Sequence, residues 1–192
     1  MAQSPQHRPR GSQTARDMLF TALPLVLLVL VVVGFAGQCS VSPGGADTDA
    51  AQVTTVDAAA ELARVAGEVD VPVRAPDLPD GWRATSVTDA AVGDREVVRT
   101  GWLAPTGFAQ LSQSDADEQA LVAEETGAQG AVVPTGAVDA GGAAWVVYPG
   151  RREEQAWVTD VDGVRLLVTG SAGEADFRAL AEAALAAPLL PG

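Results

Sequence analysis

An uncharged apolar segment of twenty residues, from Met18 to Gly37, constrains the folding of this 192-residue chain more than any other feature. At about 1.5 Å of rise per residue, a helix of this length spans about 30 Å, which matches the hydrocarbon core of a bilayer. Three arginines precede the segment, and the next basic residue after it is Arg64. We therefore predict a transmembrane helix that contacts membrane lipid through residues 18–37, with a cytoplasmic N-terminus and an extracytoplasmic C-terminal part.

Two other interpretations of this segment stay open. Residues 34–36 satisfy a small-x-small rule for signal cleavage, although a signal peptide has a shorter apolar stretch of about 7–15 residues. Cys39 suggests a lipoprotein, but Gln38 fits poorly before an acylated cysteine. The length of the apolar segment favours a retained anchor, so the protein is expected at the cell membrane as a single-pass protein.

The other segments follow from composition. Residues 1–17 contain proline, serine and arginine without apolar periodicity, which predicts a disordered cytoplasmic tail. Residues 38–54 are small and polar, which is typical of a flexible linker. Residues 55–192 are enough for one hydrophobic core and too few for two, so we predict one extracytoplasmic domain.

Charge and missing residue types exclude several functions. After Gly37 the chain has 24 acidic and nine basic residues, a difference of −15, which argues against nucleic acid as a partner. Lysine is absent, and His7 and Cys39 are the only histidine and cysteine. The domain therefore lacks the residues for a Ser-His-Asp, Cys-His or Schiff-base site and for a Cys/His zinc site. We predict no catalytic residue, no metal ligand and no cofactor, and these absences favour a protein that is not an enzyme.

Periodicity and turn residues predict an α+β domain with a mainly antiparallel sheet packed by helices. A first helix is capped by Thr55 or Asp57 and has an apolar face of Val56, Ala59, Leu62, Ala63 and Ala66. A second covers 116–125, with Ser114 or Asp115 as its cap, and a third covers 174–187. Strands are predicted over 83–92, 96–103, 108–113, 131–138, 143–148, 156–161 and 164–169, the last two joined by an Asp162-Gly163 turn.

Several segments resemble a family of uncharacterised actinobacterial membrane proteins, classed as a domain of unknown function. The segments are TARDML before the apolar run, PVRAPDLPDGW, GWLAPTGFAQLSQS, AAWVVYPG and VTGSA. The resemblance implies an N-terminal membrane helix and one exported domain, with no assigned activity and no functional residue. The order of elements is also similar to the PsbP/Mog1-like α/β/α sandwich, which transfers no function.

Two turns could be small-ligand sites. Residues 160–163 (DVDG) look like the start of a calcium loop, but the strand that follows at once favours a hairpin turn. Residues 170–173 (GSAG) could offer backbone N–H groups to an anion, although an ordinary connection with Ser171 as a helix cap is favoured.

The charged clusters could be solvated surface or catalytic groups, and the tryptophans could be core residues or the lining of a ligand groove. Paired carboxylates can hydrolyse glycosides, but a solvated surface is favoured for the acidic clusters at Asp115/Asp117/Glu118, Glu124/Glu125 and Glu153/Glu154. Solvation is also expected for Arg151-Arg152. Core packing is favoured over a ligand groove for Trp82, Trp102, Trp145 and Trp157.

The sequence thus favours a membrane-anchored extracytoplasmic protein that acts as a non-enzymatic binding or scaffolding module at the cell envelope. The alternatives are a carboxylate-dependent envelope enzyme and an accessory subunit of a membrane complex.

Overall fold

Seven antiparallel strands form one sheet in the computed structural model, which describes residues 55–192. The order across the sheet is β1-β2-β3-β7-β6-β5-β4. The strands are β1 (Arg83–Val92), β2 (Arg95–Ala104), β3 (Gly107–Ser114), β4 (Gly136–Ala140), β5 (Ala143–Pro149), β6 (Gln155–Val161) and β7 (Val164–Gly170).

Within residues 55–192, three helices cover the two faces of the sheet. Helices α1 (Ala58–Ala66) and α3 (Glu174–Ala186) pack on one face, in a core that contains Trp145 and Trp157. Helix α2 (Glu118–Thr126) packs on the opposite face, in a smaller core. The predicted α+β class is therefore confirmed, together with the order of one helix, three strands, one helix, four strands and one helix.

The predicted tail, transmembrane helix and linker lie outside the described residues, and the orientation and localisation that rest on them stay predictions. Within residues 55–192, no helix is both long enough and apolar enough to span a membrane.

Turn chemistry predicted the β6–β7 hairpin correctly. Asp162 and Gly163 have φ values of 56° and 86°, as a tight hairpin turn with two left-handed residues requires. Asp160 Oδ1 accepts a hydrogen bond from Gly163 N at 3.0 Å, which closes the turn. Residues 160–163 are therefore a hairpin turn.

Two predicted boundaries were wrong. The strand predicted over 131–138 is confined to Gly136–Ala140, because Pro134 has no N–H to donate and pairing with β5 begins only at Thr135, whose N–H bonds to Val147 O. The cap of α2 is Asp117, not Ser114 or Asp115: Asp117 Oδ1 accepts from the N–H groups of the next helical turn.

The predicted apolar face of α1 was partly wrong. Leu62 and Ala66 are buried as expected, but Ala59 and Ala63 are exposed and Val65 is buried instead. Alanine loses little by facing water, so the larger Leu62 and Val65 decide which side of the helix turns inward. The predicted cap Asp57 is confirmed, since its Oδ1 accepts from Ala60 N at 3.1 Å.

Candidate functional site

The turn between β5 and β6, residues 150–154, borders three surface cavities. One of them, which we call the open-face cavity, lies on the α2 side of the sheet between Phe108, Glu125 and Glu154, and has a volume of about 310 Å³. The α3 cavity, of about 610 Å³, lies beside the start of α3, and the α2-end cavity, of about 600 Å³, lies beside the end of α2. Arg151 lines the first and third cavities, Arg152 the second and third, and Glu154 the first and second. The turn is thus common to all three.

Backbone hydrogen bonds hold this β5–β6 turn in shape. Gly150 N donates to Glu154 O at 2.8 Å, and Glu154 N donates to Arg151 O at 3.0 Å. A Cβ on Gly150 would stand 2.8 Å from the Glu154 carbonyl carbon, so the close approach requires glycine. Arg152 has φ 58°, a left-handed conformation that is uncommon for a residue with a side chain.

Gly170, at the end of β7, lies between the open-face cavity and the α3 cavity and lines both. Its φ is 138°, and a Cβ there would stand 2.2 Å from Phe108 O. No other residue fits this position without moving β3, so at Gly170 the two cavities are separated by backbone alone.

A buried ion pair forms one side of the open-face cavity. The side chain of Glu125 is 5% exposed and that of Arg99 is 20% exposed, and Arg99 Nε donates to Glu125 Oε1 at 2.6 Å. The second carboxylate oxygen of Glu125 accepts from Gln110 Nε2 at 2.8 Å. Both oxygens are therefore engaged, as a buried carboxylate requires.

The expectation of a solvated Glu124/Glu125 cluster was wrong for Glu125. Glu124 is exposed, with its carboxylate 3.8 Å from Arg99, but Glu125 faces the sheet. The sequence contained a signal for this, since Glu125 follows the buried Leu121 and Val122 at i+4 and i+3 and so shares their helix face.

Phe108 is the aromatic residue that reaches the surface here, with 38% of its area exposed at the open-face cavity. Its ring lies against Gly101 on the neighbouring strand, within 3.0 Å of where a glycine Cβ would stand. The favoured core role of the tryptophans is confirmed: Trp102, Trp145 and Trp157 are buried and Trp82 is partly buried against the same core. A site for apolar groups is therefore provided by Phe108 rather than by a tryptophan groove.

The acidic residues at the start of α2 have structural roles. Asp115 pairs with Arg95 at 2.6 Å, and Asp117 caps the helix. Glu118 accepts a hydrogen bond from the hydroxyl of Tyr148, and burial together with this bond raises the pKa of Tyr148 to about 12. These contacts dock α2 on the sheet, and none of these acidic residues lines the three cavities described at the β5–β6 turn.

The segment 170–173 does not present free N–H groups at its helix end. Ala172 N donates to Phe108 O at 2.9 Å, and Gly173 N donates to Thr106 Oγ1 at 2.8 Å. Ser171 is not the cap of α3, which is Gly173; instead Ser171 Oγ accepts from Phe108 N. These bonds join the β2–β3 turn to α3 and occupy two of the N–H groups that the anion hypothesis for this segment requires.

Within residues 55–192, no group of three or more histidine, cysteine, aspartate or glutamate side chains is placed to hold a metal ion. The side chains that line these cavities include arginine, glutamate, glutamine and phenylalanine. They suit noncovalent recognition by hydrogen bonds, ion pairs and ring contacts. Neither Arg151 nor Arg152 was singled out for this from the sequence, because an adjacent Arg-Arg-Glu-Glu run is normally self-neutralising surface.

The model of a protein family described as "Protein of unknown function (DUF4245)" matches residues 10–184, which is most of the chain. No curated protein matches the chain, and no solved structure matches it.

Proposed function

Because the chain belongs to the DUF4245 family, whose description assigns no activity, we propose a function from its own residues. We propose that it is a membrane-anchored extracytoplasmic binding module whose ligand or partner is held around the β5–β6 turn. The observation that carries the binding role is the convergence of three cavities on residues 150–154. Cavities of 300–1,000 Å³ are the usual size of small-molecule sites.

The membrane role in this proposal rests on residues 18–37 and the arginines before them. The layers of α1 and α3 on one face and α2 on the other support the PsbP/Mog1-like sandwich as the proposed topology. Fold alone carries no function, so the binding role is argued only from the site.

Cys39, the single cysteine, makes the topology testable without adding a reporter. A membrane-impermeant maleimide should label Cys39 in intact cells and leave the chain in the membrane fraction. The matched control is Cys39→Ser with Ser12→Cys, which should be labelled only after lysis. Labelling of position 12 in intact cells, release of the chain from membranes or a mature protein starting at residue 37 would contradict the proposal.

Crosslinking tests the binding role separately. A photoreactive amino acid placed at position 152 should give a defined adduct in intact cells, seen by electrophoresis for a protein and by intact mass for a small molecule. The control is the same amino acid at position 64, an exposed arginine on α1 that already pairs with Glu61 and Glu68. Identical adducts from both positions, or none from position 152, would count against a site at the turn.

A carboxylate-dependent envelope enzyme is the second candidate, since Glu124, Glu125 and Glu154 line one cavity. The pairing of both Glu125 oxygens weighs against it, because a general acid or base must be free to meet the substrate. Turnover of a glycan by the full chain, abolished by Glu154→Gln, would favour this candidate over a binding module.

A further inference from the structure

Two neighbouring arginines are the unpaired cations of the domain. Nine arginines follow Gly37, five of them in ion pairs with carboxylates, and Arg74 and Arg83 have partners as well. Within residues 55–192, Arg151 and Arg152 form neither a hydrogen bond nor an ion pair through their side chains. This is unexpected where acidic residues outnumber basic ones so strongly, and where Glu153 and Glu154 are adjacent in sequence.

The fold keeps these arginines on a closed turn. The two backbone hydrogen bonds between residues 150–151 and Glu154 determine its path. Arg151 Nε lies 3.2 Å from where a Cβ on Gly127 would stand, so its guanidinium is held against the end of α2. A cation at this position also complements the negative end of the helix macrodipole, which accounts for part of its placement but leaves Arg152 unexplained.

The α2-end cavity differs from the other two in its charge. Both arginines line it, and no carboxylate does. The open-face cavity has three glutamates on its walls, and the α3 cavity also has three. Val132 and Pro149 give the α2-end cavity an apolar wall beside the two guanidinium groups. A positively charged cavity thus lies on a chain whose charge after Gly37 is −15.

We propose that the α2-end cavity binds a small organic anion, with a carboxylate or phosphate held by Arg151 and Arg152 and an apolar body against Val132 and Pro149. Guanidinium groups bind both anions through paired N–H donors, and this wide depression of about 600 Å³, open to solvent, leaves room for a small molecule. The charge of −15 opposes docking on an anionic lipid surface, so the ligand is a soluble molecule. This inference rests on the proposed binding function and adds the chemical class of its ligand.

The test uses the ¹⁵N-labelled full chain in nonionic detergent micelles, titrated with hexyl phosphate, hexanoate and inorganic phosphate. Hexylammonium, with the same apolar body and the opposite charge, is the control ligand. Saturable amide shifts are expected at residues 126–128, 132 and 150–152 with at least one of the two hexyl anions. The comparison of hexyl phosphate with hexanoate distinguishes the head groups, and inorganic phosphate shows how much the apolar wall contributes.

Arg151→Gln with Arg152→Gln should weaken binding of the hexyl anions by about tenfold or more, because both guanidinium groups are lost. Arg64→Gln with Arg95→Gln removes the same charge from exposed arginines elsewhere and should leave the affinity within about twofold. The absence of saturable shifts with both hexyl anions, or equal affinity in the two double variants, would overturn the anion site. Equal binding of hexylammonium at these residues would overturn the anion site but would still support a binding module. A failed Cys39 labelling test would contradict only the proposed location at the membrane.

Discussion

The charge of Glu125, on α2, is neutralised by residues of the sheet on which this helix packs. Its carboxylate is 5% exposed and is paired with Arg99 from β2 and with Gln110 from β3. Neither partner is near it in sequence. The i+3 and i+4 spacing from Val122 and Leu121 could predict burial of this position, but not the identity of the groups that neutralise it.

We expect Glu125→Ala to lower the free energy of unfolding by about 2 kcal/mol, because it leaves Arg99 partly buried without its closest carboxylate. Denaturant unfolding of the full chain measures this. Glu68→Ala, which breaks an exposed pair with Arg64, should change the value by no more than about 0.5 kcal/mol. The double variant Arg99→Met with Glu125→Leu should lose less free energy of unfolding than the sum of the losses in its two single variants. Losses that simply add would show that the pair is not coupled.

The raised pKa of Tyr148 predicts that the domain loses stability at alkaline pH. Burial and the hydrogen bond to Glu118 raise its pKa to about 12, from an ordinary value of about 10 in the unfolded chain. The folded state keeps the proton that the unfolded state loses, so the contribution is complete below pH 10 and declines as pH rises towards 12. Tyr148→Phe should lack this decline.

Tyr148 is the only tyrosine, so the absorbance of tyrosinate reports its titration directly. Unfolding curves of both proteins between pH 8 and the alkaline limit supply the comparison. A titration midpoint near 10 in the folded protein, or the same alkaline decline in Tyr148→Phe, would show that the phenol is not protected.

At the scale of elements, the start of α3 is held by a residue from another part of the chain. Thr106, in the β2–β3 turn, accepts a hydrogen bond from Gly173 N and donates one to Asp176 at 2.5 Å. Asp176 also accepts from Thr106 N at 3.0 Å. The start of α3 is therefore fastened to the β2–β3 turn, about 70 residues earlier in the chain.

Thr106→Val keeps the shape of this side chain and removes its hydroxyl. We expect it to lower the free energy of unfolding by about 1–2 kcal/mol, since Gly173 N loses its acceptor and Asp176 loses one of its donors. Thr88→Val, at an exposed position of β1, is the matched control and should stay within about 0.5 kcal/mol. Equal stabilities of the two variants would show that the hydrogen bonds of the Thr106 hydroxyl contribute nothing.

The elements differ in how far their local residues determine them. Asp162 and Gly163 determine the β6–β7 hairpin through their left-handed backbone conformations. The spacing of apolar residues determines α3, and the residues concerned are all buried: Phe177, Leu180, Ala181 and Ala184. Gln113 is the opposite case: it is fully buried, and its amide exchanges two hydrogen bonds with the backbone of Arg74. A polar residue in a strand normally predicts an exposed face, so this clamp depends on a segment 39 residues earlier.

We expect the thermal stability of the whole domain to increase as the salt concentration rises. After Gly37 the charge is −15, and most of the arginines are already paired, so the net long-range interaction is repulsion between carboxylates. The screening length shortens from about 30 Å at 0.01 M to about 3 Å at 1 M, which weakens this repulsion. The melting temperature of the full chain in nonionic detergent should therefore rise with sodium chloride over this range.

Asp77→Asn with Glu182→Gln removes two exposed charges and should reduce the dependence on salt. A melting temperature that falls as salt is added would mean that ion pairs such as Glu125–Arg99 outweigh the repulsion. Potassium chloride in place of sodium chloride should give the same result, because the effect depends on ionic strength.

The sequence by itself determined the class of the domain, the order of its helices and strands, its hairpin turn and the core role of its tryptophans. These depend on contacts within a few residues or on side-chain volume, so periodicity, glycine, proline and aromatic residues are enough to predict them. Only the tertiary structure decided which charges are buried, that Thr106 holds the start of α3, and that Arg151 and Arg152 lie at a cavity without carboxylates. The physical reason is that desolvation and charge pairing depend on distances in space, between strands and turns that are far apart along the chain.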